Sequence, residues 1–479
     1  MSKSGNDINY SLRLQKNIER KIFSDIVRSM SYFGPVEEYR YIGFGSFYYQ
    51  DFILFHKEFS IKEGISIEIS KNHYVKNDDV VSILLDYLNN ILMQEKDYWD
   101  KLYIELENVD KSCMSRYIDI ISEIVSRQFI INLKDQGRLF PHTSLIKSGI
   151  YNYSKENTLN KLAPYVYGMI RGVLLEKIKV NKANIEDECR GVESLCEAHA
   201  RCEEIVNKIG LDDLVRVETE QIEESLKNVC INRYTYNKPY GFINIIFEEA
   251  SEAIDAINWD EEKRNIVWLD YDQFLEPNML DAFEKVILKV SKGSVIFFSV
   301  SMKNTPEERQ KEFRDKFKDS YRISHMPTLG ECDTNMIHKT IYKIVEDTVV
   351  AAICDKNMFL NDGEDKYKYK QVLNCKYADG IPMFTYALFI YRETDDENDI
   401  YFPSNVLQEY DWFSDDEERY VIKFPALTNK EISAINQYLP ETDEDTIIAK
   451  FPFIPSKTIK DYIKIYKYYP QYLEVGYYI

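Results

Sequence analysis

Two glycines and an acid carry the clearest chemistry in this chain. The run Tyr41-Ile42-Gly43-Phe44-Gly45-Ser46 and the later run Ile65-Ser66-Ile67-Glu68 read together as strand, glycine turn, helix, strand and acid. Glycine lets a strand's end approach a ligand without a Cβ in the way, and the amides that open the next helix favour polar groups. Glu68, closing the second strand, is placed to accept hydrogen bonds from two ribose hydroxyls, which with Gly43, Gly45 and Ser46 gives the skeleton of a nucleoside-cofactor site. Gly-x-Gly turns also occur where nothing binds, so the rest of the chain has to supply the context.

Further carboxylates stand at strand ends. Asp270-Tyr271-Asp272 closes an apolar strand at the edge where doubly wound sheets place their chemistry. Two acids there can hold a divalent metal, orient a nucleophile or accept a proton; the plainer reading is one helix cap and one solvated acid. Glu248-Glu249 follows another strand, where one acid can meet an adenine amino group or simply face water in a surface turn. Cys189, Cys196, His199 and Cys202 form a Cys-x6-Cys-x2-His-x2-Cys series whose spacing suits core thiols better than the knuckles of a zinc site. His-Glu-x-x-His, Gly-x-Ser-x-Gly and the phosphate-binding Gly-x4-Gly-Lys-Ser/Thr loop are all missing from the sequence. Metalloprotease, α/β-hydrolase and P-loop ATPase chemistry are therefore disfavoured, and His56 reads as a packed residue rather than a base.

These groups need a parallel sheet to bring them together. An amphipathic helix over 10–30 leads, with Arg13, Lys16 and Arg20 on one face that reads as solvated. A strand over 39–44, a helix over 47–59 and a strand over 65–69 follow. Helical periodicity then dominates from 75 to 231, and strands resume at 241–247, 265–270 and 293–300, with a crossover helix over 276–289 and closing strands such as 383–391. The sheet is expected to be split by a helical insertion placed over the rim of the cleft. The predicted divisions are 1–74 for the leading helix and first half of the α/β domain, 75–231 for the insertion, 232–400 for the second half, and 401–479 for a small C-terminal module with a helix near 456–469. Acidic runs at Asp362–Asp365, Asp395–Asp399 and Asp415–Glu418 read as solvated turns.

The 479 residues, 44% hydrophobic and 14% aromatic, can build more than one core. A formal charge of −20 disfavours broad contact with nucleic acid, which would need a local basic groove such as one around Arg171, Lys177, Lys179 and Lys182. The polar start and the lack of a bilayer-length apolar run predict a cytoplasmic protein without a membrane partner, and eight scattered cysteines fit reduced thiols.

Tyr10-Ser11-Leu12-Arg13, Lys16-Asn17-Ile18-Glu19-Arg20-Lys21, the Gly43 run, Asp51-Phe52, Ser66-Ile67-Glu68, Tyr236-Asn237-Lys238-Pro239-Tyr240 and Val267-Trp268-Leu269-Asp270-Tyr271-Asp272 stand in an order that resembles bacterial class I S-adenosylmethionine-dependent methyltransferase-like proteins of the O-methyltransferase type. Tyr377-Ala378-Asp379-Gly380-Ile381-Pro382-Met383-Phe384-Thr385 and Tyr466-Lys467-Tyr468-Tyr469-Pro470 fit the same pattern. The resemblance covers 10–70 and 232–479. It implies a Rossmann-like α/β sheet with S-adenosylmethionine as cofactor. Gly43 and Gly45 would line its methionine part, Glu68 its ribose, Glu248 or Glu249 its adenine, and Asp270 the reaction edge.

Asp270 or Asp272 is the preferred base or orienting acid, with Tyr271 and Tyr48 as walls of the acceptor pocket. Tyr41 and Phe47 occupy places where the usual signature has an acid and a third glycine. The Asp-Asn partner of metal-dependent relatives is replaced by Ser299-Val300-Ser301-Met302-Lys303-Asn304, so no metal is expected. The alternative is a non-catalytic protein of the same fold that senses a nucleotide or cofactor and binds a partner through the insertion.

Overall fold

In the computed structural model, the residues described are 5–29, 35–44, 49–68, 75–109, 113–140, 153–178, 194–260, 262–320, 323, 326–379, 381–395 and 410–469. The chain divides into two compact units, one formed by Met1–Ile69 with Lys238–Ile479 and the other by Ser70–Asn237.

The first unit is built on an eight-stranded sheet in the order β3-β2-β1-β4-β5-β7-β6-β8. Its strands are β1 Arg40–Phe44, β2 Glu63–Ile67, β3 Ile243–Ile246, β4 Asn265–Phe274, β5 Val295–Ser301, β6 Tyr367–Asp379, β7 Ile381–Arg392 and β8 Tyr420–Val421. The first five run parallel, while β7 is antiparallel to both β5 and β6. Strands β1 and β4 are neighbours although β2 and β3 lie between them in sequence, so the order reverses at β1. In open α/β sheets such a reversal leaves a crevice at the carboxyl ends of the strands. Continuous apolar runs form the central strands because both faces are covered: every residue of β5 is buried.

One face carries the main apolar core. Ile42, Val267, Leu269, Tyr271, Phe298 and Phe384 project from the sheet into it, against Ala253, Phe283, Ile287, Ile341 and Val349. The last five come from helices whose ranges are Ala250–Ala256, Pro277–Lys289 and Ile337–Met358. The other face is covered by α1 (Gly5–Ser29) and α2 (Gln50–Phe59). There Phe23 stacks on Phe297 at 3.9 Å and meets Trp268 edge-on at 4.8 Å, while Tyr41 packs against Phe52 and Phe55.

After the sheet comes a cluster of short helices around Ile435, Ile447, Ile459 and Tyr462, with its own apolar centre. The helix expected near 456–469 spans Ser456–Ile465. Of the acidic runs read as solvated, Asp395 departs: it is buried, accepts a hydrogen bond from the Arg392 amide and pairs with Lys292.

The described residues of the second unit form helices, among them Asn77–Gln94, Met114–Asp135, Lys155–Lys177, Leu195–Ile209 and Thr219–Asn237. Apolar stripes at helical spacing, such as Leu84, Leu88 and Leu92 or Leu162, Val166 and Ile170, are buried in it. No described helix in the chain is long and apolar enough to cross a membrane.

Candidate functional site

Register brings the site together on the face that α1 covers. Ser66, Gly43 and Trp268 stand side by side on β2, β1 and β4, and Trp268 faces Phe297 on β5. Side chains alternate along a strand, so the next row on this face holds Glu68, Asp270, Ser299 and Thr385. Two of the acids singled out in the sequence therefore flank the end of β1 on one face of one sheet.

Glu68 is buried just past β2 and accepts a hydrogen bond from Ser66 Oγ at 3.0 Å. Asp270 has a side chain 28% exposed, at the point where the β4 register shifts. Gly43 serves Tyr41: a Cβ at position 43 would lie 2.5 Å from Tyr41 Oη. The Tyr41 phenol is thus seated against the bare Cα, where burial, with Asp51 and Asp270 adding to it, holds the hydroxyl protonated far above the usual tyrosine range. Gly45, Ser46 and Tyr48 lie outside the described residues.

Tyr271 points to the opposite face. Its ring meets Phe44 edge-on at 4.8 Å, and its buried hydroxyl has no hydrogen-bond partner. Burial pushes that hydroxyl's pKa well up, with Glu249 adding to the rise, which brings these two residues within electrostatic reach of each other. Asp272, Glu248 and Glu249 are exposed.

The helix over this row contributes what sequence reading missed. Lys16, read there as part of a solvated stripe, is only 5% exposed. Its Nζ donates to both Asp270 oxygens, at 2.9 and 2.8 Å, and to Tyr377 Oη at 2.9 Å, and it lies 4.4 Å from the centre of the Trp268 ring. Burial disfavours its charge, but Asp270 and Glu19 outweigh that and hold the ammonium above its ordinary pKa. Arg20 pairs with Asp51 of α2 and is likewise largely covered. The solvated reading fails because the partners of this stripe are remote in sequence; the side chain of Arg13 lies outside the description.

Glu19, one residue before Arg20, is fully buried. Its Oε1 accepts from Thr385 Oγ1 at 2.7 Å, and Lys16 Nζ approaches Oε2 at 3.2 Å without an aligned hydrogen bond. Burial pushes the Glu19 pKa up to about 7, against the pull of Lys16 and with Asp270 adding to the rise. The only sequence signal for this residue was its place in the Lys16–Lys21 run of the resemblance.

The cysteine series is not gathered into a site: Cys202 is buried, Cys196 is exposed, His199 faces Glu203 at 3.3 Å, and Cys189 lies outside the described residues. Arg171, offered as part of a basic groove, pairs with Asp119 at 2.6 Å. Lys179 and Lys182 are outside the description.

A buried acid beside the end of β1, a second acid one strand over, and a reversal of strand order between them are the features of a small-molecule site in a doubly wound sheet. The chain matches the model of the family described as "Putative O-methyltransferase" over residues 8–79 and 202–477, and it belongs to that family. The match takes in Lys16, Glu19, Gly43, Glu68, Asp270 and Thr385. No curated protein and no solved structure matches the chain.

Proposed function

We propose that the crevice at the carboxyl ends of β2, β1 and β4 binds S-adenosylmethionine, and that the protein transfers its methyl group to an oxygen of an acceptor molecule. The reading rests on membership of the family together with one observation: Glu68 and Asp270 lie in a single row on either side of β1, where the strand order reverses. On this reading the α/β sheet is of the Rossmann-like class I methyltransferase type, with residues 70–237 as its helical insertion.

The residues suit the cofactor's parts. The Glu68 carboxylate, held by Ser66, offers acceptors to a ribose diol. Glu249, exposed after β3 at the carboxyl-side edge of the sheet, offers an acceptor to an amino group. Asp270 places negative charge beside the position a sulfonium would take. Bound there, the cofactor supplies an electrophilic methyl group without metal activation. What the protein adds is alignment of the acceptor and a destination for its hydroxyl proton.

Calorimetric titration with S-adenosylmethionine and S-adenosylhomocysteine tests the reading. Both should bind the wild type, and Glu68→Ala should weaken both at least about tenfold, the cost of roughly one charge-assisted hydrogen bond. Absence of heat with either compound in the wild type would refute it. A second reading, a cofactor sensor that transfers nothing, is favoured by the bidentate hold of Lys16 on Asp270. Binding without slow loss of the cofactor's methyl group across a panel of hydroxylated acceptors would select it.

A further inference from the structure

Among the described side chains, three carboxylates and two cations meet beneath α1: Glu19, Asp51 and Asp270 against Lys16 and Arg20. With all five ionised the group carries one excess negative charge away from bulk water, and one proton would neutralise it. Glu19 is the member best placed to hold that proton, because it is the most deeply buried of the three carboxylates and only one of its oxygens has an aligned donor. Trp268 Nε1 donates to Ser299 Oγ at 3.0 Å, Ser299 Oγ lies 2.7 Å from Thr385 Oγ1, and Thr385 Oγ1 donates to Glu19 Oε1. The chain of donors ends at Oε1 and leaves Oε2 with no aligned donor.

We propose that Glu19 is a charge-compensating acid: it releases its proton when a cationic sulfonium cofactor is seated at the Asp270 edge, and recovers one when methyl transfer leaves that cofactor neutral. This rests on the cofactor reading above. In the transfer, the sulfur–methyl bond breaks with its electron pair staying on sulfur, an oxygen–methyl bond forms, and the acceptor hydroxyl gives up a proton. Asp270, the member of the group with most exposure, receives it from the crevice; Lys16, between Asp270 and Glu19, gives an ammonium proton to Glu19 and its freed lone pair then takes the proton on Asp270, which restores the ammonium. Charge is conserved at each stage, since the sulfonium's positive charge replaces the proton on Glu19 and the proton replaces the sulfonium.

The groups facing Glu19 do not take over this role. Lys16 and Arg20 of α1 are held in their charged forms, and burial followed by Glu19 itself keeps the Cys375 thiol of β6 far above its ordinary pKa. Asp270 of β4 is fixed by two bonds from Lys16, and Thr385 of β7 contributes only a neutral hydroxyl.

Calorimetry in two buffers of different ionisation enthalpy counts the protons exchanged on binding at pH 7. S-adenosylmethionine should release about half a proton more from the wild type than from Glu19→Gln, and S-adenosylhomocysteine should show no such difference. Thr385→Val, which removes the hydrogen bond favouring ionised Glu19, should move the pH of greatest release upward and serves if the Gln variant does not fold. Equal proton counts in wild type and Glu19→Gln, or an unmoved optimum in Thr385→Val, would overturn the inference while leaving the cofactor reading intact. No heat from either compound would overturn both.

Discussion

The two faces of the sheet are made by alternate residues of the same strands, yet they are built on opposite principles. On β4, Leu269 and Tyr271 enter an apolar core, while Trp268 and Asp270 between them face Lys16 and Phe23. The apolar face gains from excluding water, at about 25 cal/mol per Å² of apolar surface. The charged face pays desolvation for Lys16, Glu19 and Arg20, and its ion pairs only partly return it. A protein selected for stability alone would have little reason to keep such a cluster, which is the physical ground for seeking function there.

The sharpest way to break this comparison is to remove one anchor from each face. Phe298→Ala, a cavity in the core, should cost about 3–5 kcal/mol. Lys16→Ala should cost a similar ~3–5 kcal/mol by leaving two carboxylates without their cation. Urea unfolding measures both, and a Lys16→Ala loss under 1 kcal/mol would show that the cluster relaxes into water rather than staying buried.

A smaller effect separates the faces by pH. Folded Glu19 binds its proton more tightly than the unfolded chain does, so its contribution is fully present below about pH 4.5 and is lost as pH rises through about 7. The fall should reach roughly 3 kcal/mol in the wild type and disappear in Glu19→Gln. A pH series of thermal or urea melts that gave parallel curves for the two proteins would contradict it. The smallest change belongs to the apolar face: Tyr271→Phe deletes a buried hydroxyl that has no partner, and should leave stability within about 1 kcal/mol of wild type or slightly above.

Much of the scaffold was legible because its signals are local. The apolar runs at 241–247, 265–270 and 293–300 correspond to β3, β4 and β5, and the crossover helix read at 276–289 spans Pro277–Lys289. Strand β6, Tyr367–Asp379, was not singled out: it opens with alternating Tyr and Lys, and its apolar character appears only from Val372. Strand β4 runs on to Phe274 through the register shift that follows Asp270, a change no local pattern announces. Of the site, Glu68 and Asp270 could be placed because strand ends are readable and an acid there is conspicuous. Lys16 and Glu19 could not, since a charged stripe on a helix looks solvated until the residues packed against it are known. Gly43 stands out in the sequence as a residue without a Cβ, but that Tyr41, two positions earlier, lays its phenol against it could not be read there.

The partners of α1 also carry a consequence for biosynthesis. Lys16 waits for Tyr377, 361 positions downstream, and Glu19 waits for Thr385, 366 positions downstream. Until the ribosome has made β6 and β7, the segment from Ile18 to Val27, whose Ile18, Ile22, Phe23, Ile26 and Val27 are fully covered in the finished protein, has much of its eventual resting place still unmade. Helix α1 is thus translated well before the strands that hold it and is locked only after them. A nascent chain halted before β6 should expose it to proteases and chaperones.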